Sequence, residues 1–494
     1  MLKRCVAVIC LSASGCQTFN QELLDAQLPE TPSTWAATDS AAGVPTGDWV
    51  AAFNDDLLKG LIKEAIESNN SLLAAGANLE QARQNAKASR ASLLPTLNAS
   101  QNNNRSAIVT NPATVAQAGA AGAPISSQRV YVNNFSLGAQ AQWELDLWGR
   151  LNDEYKASRR DAYASFADLE AARLSIAGSV SQAWFALIEA RLQRELAERD
   201  VTARESNLRV TSRRYERGVA SSLDVRLSQS QVGSSRATLA SRQQAEKEAG
   251  RALEVLLGRY PHAEIEAASA LPSLPGLSGA GAPSDLLTRR PDLIAAELRM
   301  EASGFRARAA RKQLLPQITL SSQINTSGPD FSDLVDPQRL AGNIAAGIFQ
   351  PMFQGGRLLA NSKAARATAE ANLFNYAQTV LEAFQEAENA IAAEEFLASQ
   401  EAALKMAFEE AAAAEKLTQR RYANGAASIF NLLDAQTRRI SNESAYITAQ
   451  RQRVGNRVAL YLAIGGDFLT EIDLAMADVD KKVAAADVED QSAE

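Results

Sequence analysis

The sequence predicts a mainly α-helical chain that also carries membrane β-strands, built as an internal tandem repeat. Three observations lead there. Residues 213–231, RRYERGVASSLDVRLSQSQ, align without a gap to residues 420–438, RRYANGAASIFNLLDAQTR, at an offset of 207 and with seven of nineteen positions identical. From Leu151 to Tyr215 there is no proline and one glycine, Gly178, so about 65 residues rising ~1.5 Å each extend roughly 97 Å. From Phe135 to Leu147 the odd positions are apolar or alanine, and Ser136, Gln140, Gln142, Glu144 and Asp146 are polar, which is the period of a strand with one dry and one wet face.

The chain opens with Lys3 and Arg4, a short apolar run Cys5 to Leu11 and small residues before Cys16, the layout of a secretory signal over residues 1–15. Ala13-Ser14-Gly15-Cys16 resembles the lipobox of bacterial lipoproteins, with Ala13 where lipoboxes usually carry Leu, and the resemblance makes Cys16 the expected lipidation residue; an uncleaved or plainly cleaved signal is the alternative. Gln17, where retained lipoproteins carry Asp, resembles the pattern sorted to the outer membrane. All three cysteines fall within the first sixteen residues, so the mature chain forms no internal disulfide and relies on packing. Residues 16–70 read as a lipid-anchored N-terminal segment.

The repeat then runs nearly end to end. Residues 71–100 parallel 292–321 at an offset of 221, with Leu94-Pro95 answering Leu315-Pro316, and from Gly149 against Gly356 the offset is 207. Repeat 1 spans 71–260, repeat 2 spans 292–466, and a Pro/Gly-rich linker, 261–291, joins them. The change of offset is assigned to a polar loop in the first copy, NNNRSAIVTNPATVAQAGAAGAPISS. Each copy reads as helix, strand, loop, strand, very long helix, turn, helix. Pro95 and Pro316 suit a helix-to-strand junction, because the residue before proline is pushed out of the helical region. Further strands are read in QITLSSQI, TLNASQN and LAGNIAAGIFQPMF, and Trp143, Trp148, Tyr131 and Phe135 are placed near strand ends, where an interfacial aromatic girdle would lie.

The first long helix has two apolar seams: Phe166, Leu169, Ile176, Val180, Ala183 and Leu187, and Ala167, Ala171, Leu174, Gly178, Phe185, Ile188 and Leu192. Two seams call for a neighbour on each side, as in a wall of helices closing into a cylinder. Four strands cannot close a barrel, and unpaired backbone groups in lipid cost several kcal/mol each, so the strands call for copies of the chain. Two copies give eight strands and a filled interior; three give twelve and room for a channel. A periplasmic sheet packed on its own helices is the alternative.

The lipobox Cys16, the LLP motifs at 93–95 and 314–316, WELDLWGRL at 143–151, FQGGRL at 353–358 and the YxxGxxS turns at 215 and 422 together resemble the TolC-like outer-membrane efflux channel family, in its lipoprotein (NodT-type) branch. The resemblance covers about residues 16–466. It implies a homotrimer in which a twelve-stranded β-barrel in outer membrane lipid is continued by a periplasmic α-helical barrel. It implies docking to a periplasmic adaptor and an inner-membrane pump, and passive export of drugs, metals or other small solutes. An exit duct for type I protein secretion, or a lipid-anchored coiled-coil scaffold without a pore, are the other readings.

In each copy the opening stretch is the turn where the long helix reverses. Gly218 and Gly425 suit a C-cap with positive φ, and Ser221 and Ser428 the following N-cap. By position, the resemblance places Phe430 and Asp434 at the periplasmic gate, as rings under threefold symmetry, and pairs Tyr422 with Asp224 across the hairpins. Ala427 and Asn431 depart from the arginine and second aspartate of some members. Arg213, Arg214, Arg420 and Arg421 read as solvated cations at helix ends. A ring of carboxylates would attract cations.

The composition excludes several other classes. A net charge of −7 with no basic stripe argues against nucleic acid, and His262, the only histidine, lies in the loop RYPHAE, which rules out a His-rich metal site and argues against a Ser-His-Asp arrangement. No cofactor and no enzymatic activity are expected. Residues 467–494 form an acidic tail with no assigned role.

Overall fold

The computed structural model describes residues 31–37, 49–110, 128–274 and 281–466. The signal segment, Cys16 and the acidic tail lie outside the described residues. The elements in order are α1 (Asp56–Ser68), α2 (Asn70–Ala91), β1 (Thr96–Thr110), β2 (Gln128–Leu145), α3 (Arg150–Glu216), α4 (Ser222–Leu256), α5 (Pro291–Lys312), β3 (Gln317–Gly328), β4 (Ala341–Phe349), α6 (Arg357–Ala423) and α7 (Ile429–Ala463), with short 3-10 and single-turn pieces between some of them. They divide into two compact units. One holds Ala82–Ala162 and Arg299–Asn372; the other holds Tyr163–Leu298, the residues up to Gln81 and those from Leu373. Among the described residues no helix is long and apolar enough to cross a membrane.

Corresponding helices have equal lengths: 22 residues in α2 and α5, 67 in α3 and α6, 35 in α4 and α7. Individual contacts recur as well. Asn69 Nδ2 donates to the Leu256 carbonyl at 2.7 Å, and at the corresponding positions Arg290 Nη1 donates to the Ala463 carbonyl at 3.3 Å. Trp143 Nε1 donates to the Leu93 carbonyl at 2.9 Å, and Gln350 Nε2 to that of Leu314 at 3.1 Å. Gly258 and Gly465 have φ of 73° and 89° and abut the entry to α2 and α5, where a Cβ would meet the backbone of Ser68 at 2.6 Å and of Arg289 at 3.0 Å. Only glycine meets both demands without strain.

In the first unit the strands form one antiparallel sheet in the order β1-β2-β3-β4. The register places Leu97, Leu137, Ala139, Ala141, Trp143, Leu320, Ile324, Ile344 and Ile348 on one face and Asn98, Ser100, Gln140, Gln142, Thr319, Ser321, Gln323 and Asn343 on the other. The apolar face is bare in the single chain, with Ile344 79% and Leu97 77% exposed. Among the described residues β1 and β4 each have one paired side, so both outer edges of the sheet are open.

Two expectations are corrected here. Asn102–Thr110, read as part of a polar loop, is strand: its backbone pairs residue for residue with Gln128–Ser136, and a complete ladder outweighs the weak strand preference of asparagine. Phe135 consequently sits well inside β2 rather than near its end, and packs edge-on against Phe331 with ring centroids 6.0 Å apart.

In the second unit the helices stand in the order α4-α3-α7-α6, and polar contacts mark each junction. Arg194 pairs with Glu246 at 2.6 Å between α3 and α4. Between α3 and α7, Gln182 donates to the Gly455 carbonyl at 2.7 Å, Gln193 exchanges bonds with Ser444, and Asn207 donates to Gln436 at 2.9 Å. Between α7 and α6, Arg453 pairs with Glu401 at 2.9 Å and the buried Arg457 with Glu394 at 2.8 Å. Both faces of α3 are therefore covered within one chain. α6 buries Leu373, Tyr376, Val380 and Ile391 and leaves Phe374, Leu381, Phe396, Met406 and Leu417 exposed.

The segment before α1, to which the sequence reading gave no fold, belongs to the core. Trp49 and Phe53 pack against Tyr461, and Phe53 against Phe185 at 5.2 Å. Asp55 caps α1 by accepting from Leu57 N and Leu58 N, while its second oxygen accepts from the buried Trp184 indole at 2.8 Å. One carboxylate thus starts a helix and satisfies a core N–H that would be costly to leave unpaired.

After α4 the chain turns on Glu254. Its buried carboxylate accepts from Ala263 N at 2.6 Å and Glu264 N at 2.7 Å, and Ala263 is held at φ 60°. Burial pushes the Glu254 carboxyl up, but the backbone N–H groups of Ala263, Glu264 and Ile265 outweigh it and hold it below the ordinary 4.5. A depressed folded-state value means the stabilisation is complete above the unfolded-state value and is lost as pH falls through the folded one. Amide exchange at Ala263 and Glu264 is therefore expected to stay slow from neutral pH down to 4.5 and to accelerate below it, after allowance for intrinsic exchange. Protection that changes between pH 8 and 6 would contradict this.

Candidate functional site

The two interhelical turns have the same backbone. At the end of α3, Gly218 N donates to the Tyr215 carbonyl at 2.8 Å and Val219 N to that of Arg214 at 2.9 Å; at the end of α6, Gly425 N donates to Tyr422 at 3.0 Å and Ala426 N to Arg421 at 2.8 Å. These paired bonds satisfy the last helical carbonyls and require a left-handed residue, supplied by Gly218 at φ 74° and Gly425 at φ 76°. Ser221 then caps α4, its Oγ accepting from Asp224 N at 3.2 Å while the Asp224 carboxylate accepts from Ser221 N at 2.9 Å. Ser428 caps α7 more weakly, accepting from Asn431 N at 3.4 Å.

Tyr422 is buried at the turn in an apolar cluster with Ile429, Leu432 and Leu433, against which Leu227 and Ala427 pack. Its hydroxyl is 3.0 Å from Thr211 Oγ1. Arg214 lies over its ring, 4.9 Å from the centroid, and donates from Nη1 to its carbonyl at 2.7 Å. The pairing of Tyr422 with Asp224 is thus corrected: Tyr422 meets Thr211 and Arg214 of α3. The Asp224 carboxylate is instead spent on the first turn of its own helix, where it satisfies a backbone N–H and faces the positive end of the dipole. Arg214, read from the sequence as a solvated cation, joins the two hairpins.

Phe430 and Asp434 lie one turn apart on α7, both exposed, in a groove with Ala414, Thr418 and Arg438. Asp434 does not stand as a lone carboxylate. Arg438 Nε donates to its Oδ2 at 2.8 Å, and that hydrogen bond raises the Arg438 guanidinium further above its ordinary value. Among the described residues no group of three or more His, Cys, Asp or Glu side chains is gathered as a metal site.

Three participants escaped the sequence reading. Arg438 was legible, because it follows Asp434 at the i,i+4 spacing of a helical ion pair. Thr211 and Arg214 gave no local signal, since their role depends on which hairpin packs beside α3.

One expected outcome follows from this geometry. Tyr422→Phe keeps the ring packing and removes the bond to Thr211, which should loosen the two hairpins by about 1 kcal/mol. Thr211→Val should give the same loss, and the double variant no more than either alone, because both remove one interaction. Hydrogen exchange across residues 205–235 and 415–440 measures it, and additive losses would show that the two groups act separately.

The chain matches the profile of the family described as outer membrane efflux protein over residues 61–259 and 282–466. Outer membrane protein OprJ of Pseudomonas aeruginosa is 32% identical over 438 residues, covering 87% of this chain and 88% of that protein. Cation efflux system protein CusC of Escherichia coli is 26% identical over 471 residues, covering 94% of this chain and 98% of that protein. The solved structure of the outer-membrane channel OprN superposes with a TM-score of 0.78 at 25% identity, over 89% of this chain and 98% of that one.

Proposed function

This chain belongs to the outer membrane efflux protein family and is an outer-membrane efflux channel rather than an enzyme, and from that premise we propose that it works as a closed ring of three copies. The observation that carries the proposal is the four-stranded sheet with a bare apolar face and two open edges. In lipid such edges must be paired. Three copies supply twelve strands, enough to enclose a passage rather than a packed interior. The helices support the same arithmetic. The exposed apolar row of α6 has no partner within the described chain, and α4, at the other edge of the wall, is the face it meets in the next copy. A head-to-tail contact that closes after three steps makes a ring.

In this reading repeats 1 and 2, residues 71–260 and 292–466, each supply two strands and one long hairpin. The polar face of the sheet lines the passage. Cys16 carries the lipid anchor, and the hairpin turns meet a periplasmic adaptor that connects the channel to an inner-membrane pump. Phe430 and Asp434 of α7 narrow the periplasmic mouth, with Arg438 offsetting part of the Asp434 charge. The cargo is small solutes delivered by the pump, drugs or metal ions among them.

Purified full-length chain should have the mass of three copies in detergent and should open conducting channels in planar bilayers. Arg438→Gln, which removes one cation from beside the Asp434 carboxylate, is expected to raise cation preference, and Asp434→Asn to lower it. A monomer without conductance would sink the closed-ring reading; a conducting trimer whose selectivity ignores both substitutions would remove Asp434 from the passage.

A further inference from the structure

The contact at Tyr422 is written twice in the chain, but only one copy of it is made. The repeat offset carries Thr211 to Thr418, Arg214 to Arg421 and Tyr422 back to Tyr215, with residue type kept at all three positions. Thr211 and Arg214 of the first hairpin hold Tyr422 of the second. Thr418 and Arg421 belong to the second hairpin and Tyr215 to the first, so the same operation calls for the first hairpin of another chain. Among the described residues nothing within the chain joins them: Tyr215 is 50% exposed, Arg421 is exposed, and Thr418 lines the groove beside Phe430 and Asp434.

We propose that Tyr215 of each chain enters the α6–α7 groove of the neighbouring copy, where its hydroxyl donates to Thr418 and its backbone carbonyl accepts from Arg421. The occupant is a second copy of this chain, and the inference rests on the closed ring proposed above. The local geometry suits it. The two turns share their backbone bonds and their φ, so the Tyr215 carbonyl is presented as the Tyr422 carbonyl is. Thr418 Oγ1 donates to the Ala414 carbonyl at 2.8 Å, which leaves its lone pairs to accept a phenol.

Charge favours the same partner. Leu227 packs on the cluster containing Leu433 within the chain. The offset replaces Leu227 by Asp434 and Leu433 by Arg226, an exposed side chain of α4. The in-chain junction is apolar, whereas the junction between copies sets a carboxylate against a guanidinium. Two kinds of latch therefore alternate around the mouth, one buried and one solvated. The solvated kind is screened by salt and yields first.

Cysteine pairs in the full-length chain with a short bismaleimide test the placement. Thr418→Cys with Tyr215→Cys is expected to give dimers and trimers on a denaturing gel, with the single variants as controls for Cys16. Thr211→Cys with Tyr422→Cys should stay at monomer size. Native mass in detergent separates the two ways of failing: a trimer in which the Thr418 and Tyr215 pair gives no interchain product overturns the latch alone, and a monomer overturns the ring with it. For the role, Tyr215→Phe is expected to raise open probability in bilayers about fivefold, the equivalent of one hydrogen bond. High salt should shrink the difference between Arg226→Gln and the unaltered chain. An intact trimer in which Tyr215→Phe leaves gating unchanged overturns the role.

Discussion

A strand edge beside hydrocarbon exposes N–H and C=O groups that have nowhere to turn, at a cost of several kcal/mol for each. Among the described residues the sheet has two open edges and a bare apolar face, and no internal arrangement of its four strands pairs those edges. In the proposed ring the demand for more strands passes to other copies of the molecule. The helical wall has the same incompleteness, since α3 is covered on both sides and α6 on one. Family membership agrees with that requirement: a protein of the outer membrane has to solve the edge problem, and closure is the way a sheet solves it.

The internal repeat explains how one chain meets these demands economically. Each copy reuses the same few contacts: a side-chain N–H to the carbonyl of Leu93 or Leu314, a donor at Asn69 or Arg290 closing onto the end of a hairpin helix, and a glycine packed against the entry to a shorter helix. At the turns the copies diverge. Asp224 caps its helix tightly, while Asn431 leaves a longer and weaker cap. Tyr422 is enclosed by leucines and Tyr215 is not. Difference between copies marks the places where one repeat faces its own chain and the other faces outward.

The corrections share a cause. Asn102–Thr110 has a loop's composition and became strand because β2 lay beside it with every position free to pair. Arg214 looks like any cation at a helix end until Tyr422 is brought beneath it. The Asp224 carboxylate has a partner three residues away, and a contact that close in sequence forms before any reach across hairpins is needed. The 3-10 turn Trp49–Phe53 carries little pattern in five residues, yet its rings complete the core around Phe185 and Tyr461.

What the sequence determined by itself is periodic or local: the two-residue alternation of β2, the long helices free of proline, the repeat offsets of 221 and 207, the glycine and serine that end one helix and begin the next, and the i,i+4 ion pair at Asp434. Spacing along the chain is enough to specify these, because each depends on neighbours within a turn or two. Which hairpin receives Tyr422, how far β1 runs and which side of α6 stays bare were decided only in three dimensions. Those outcomes depend on surfaces brought together from positions some two hundred residues apart, and no pattern along the chain encodes which of several similar helices will be the neighbour.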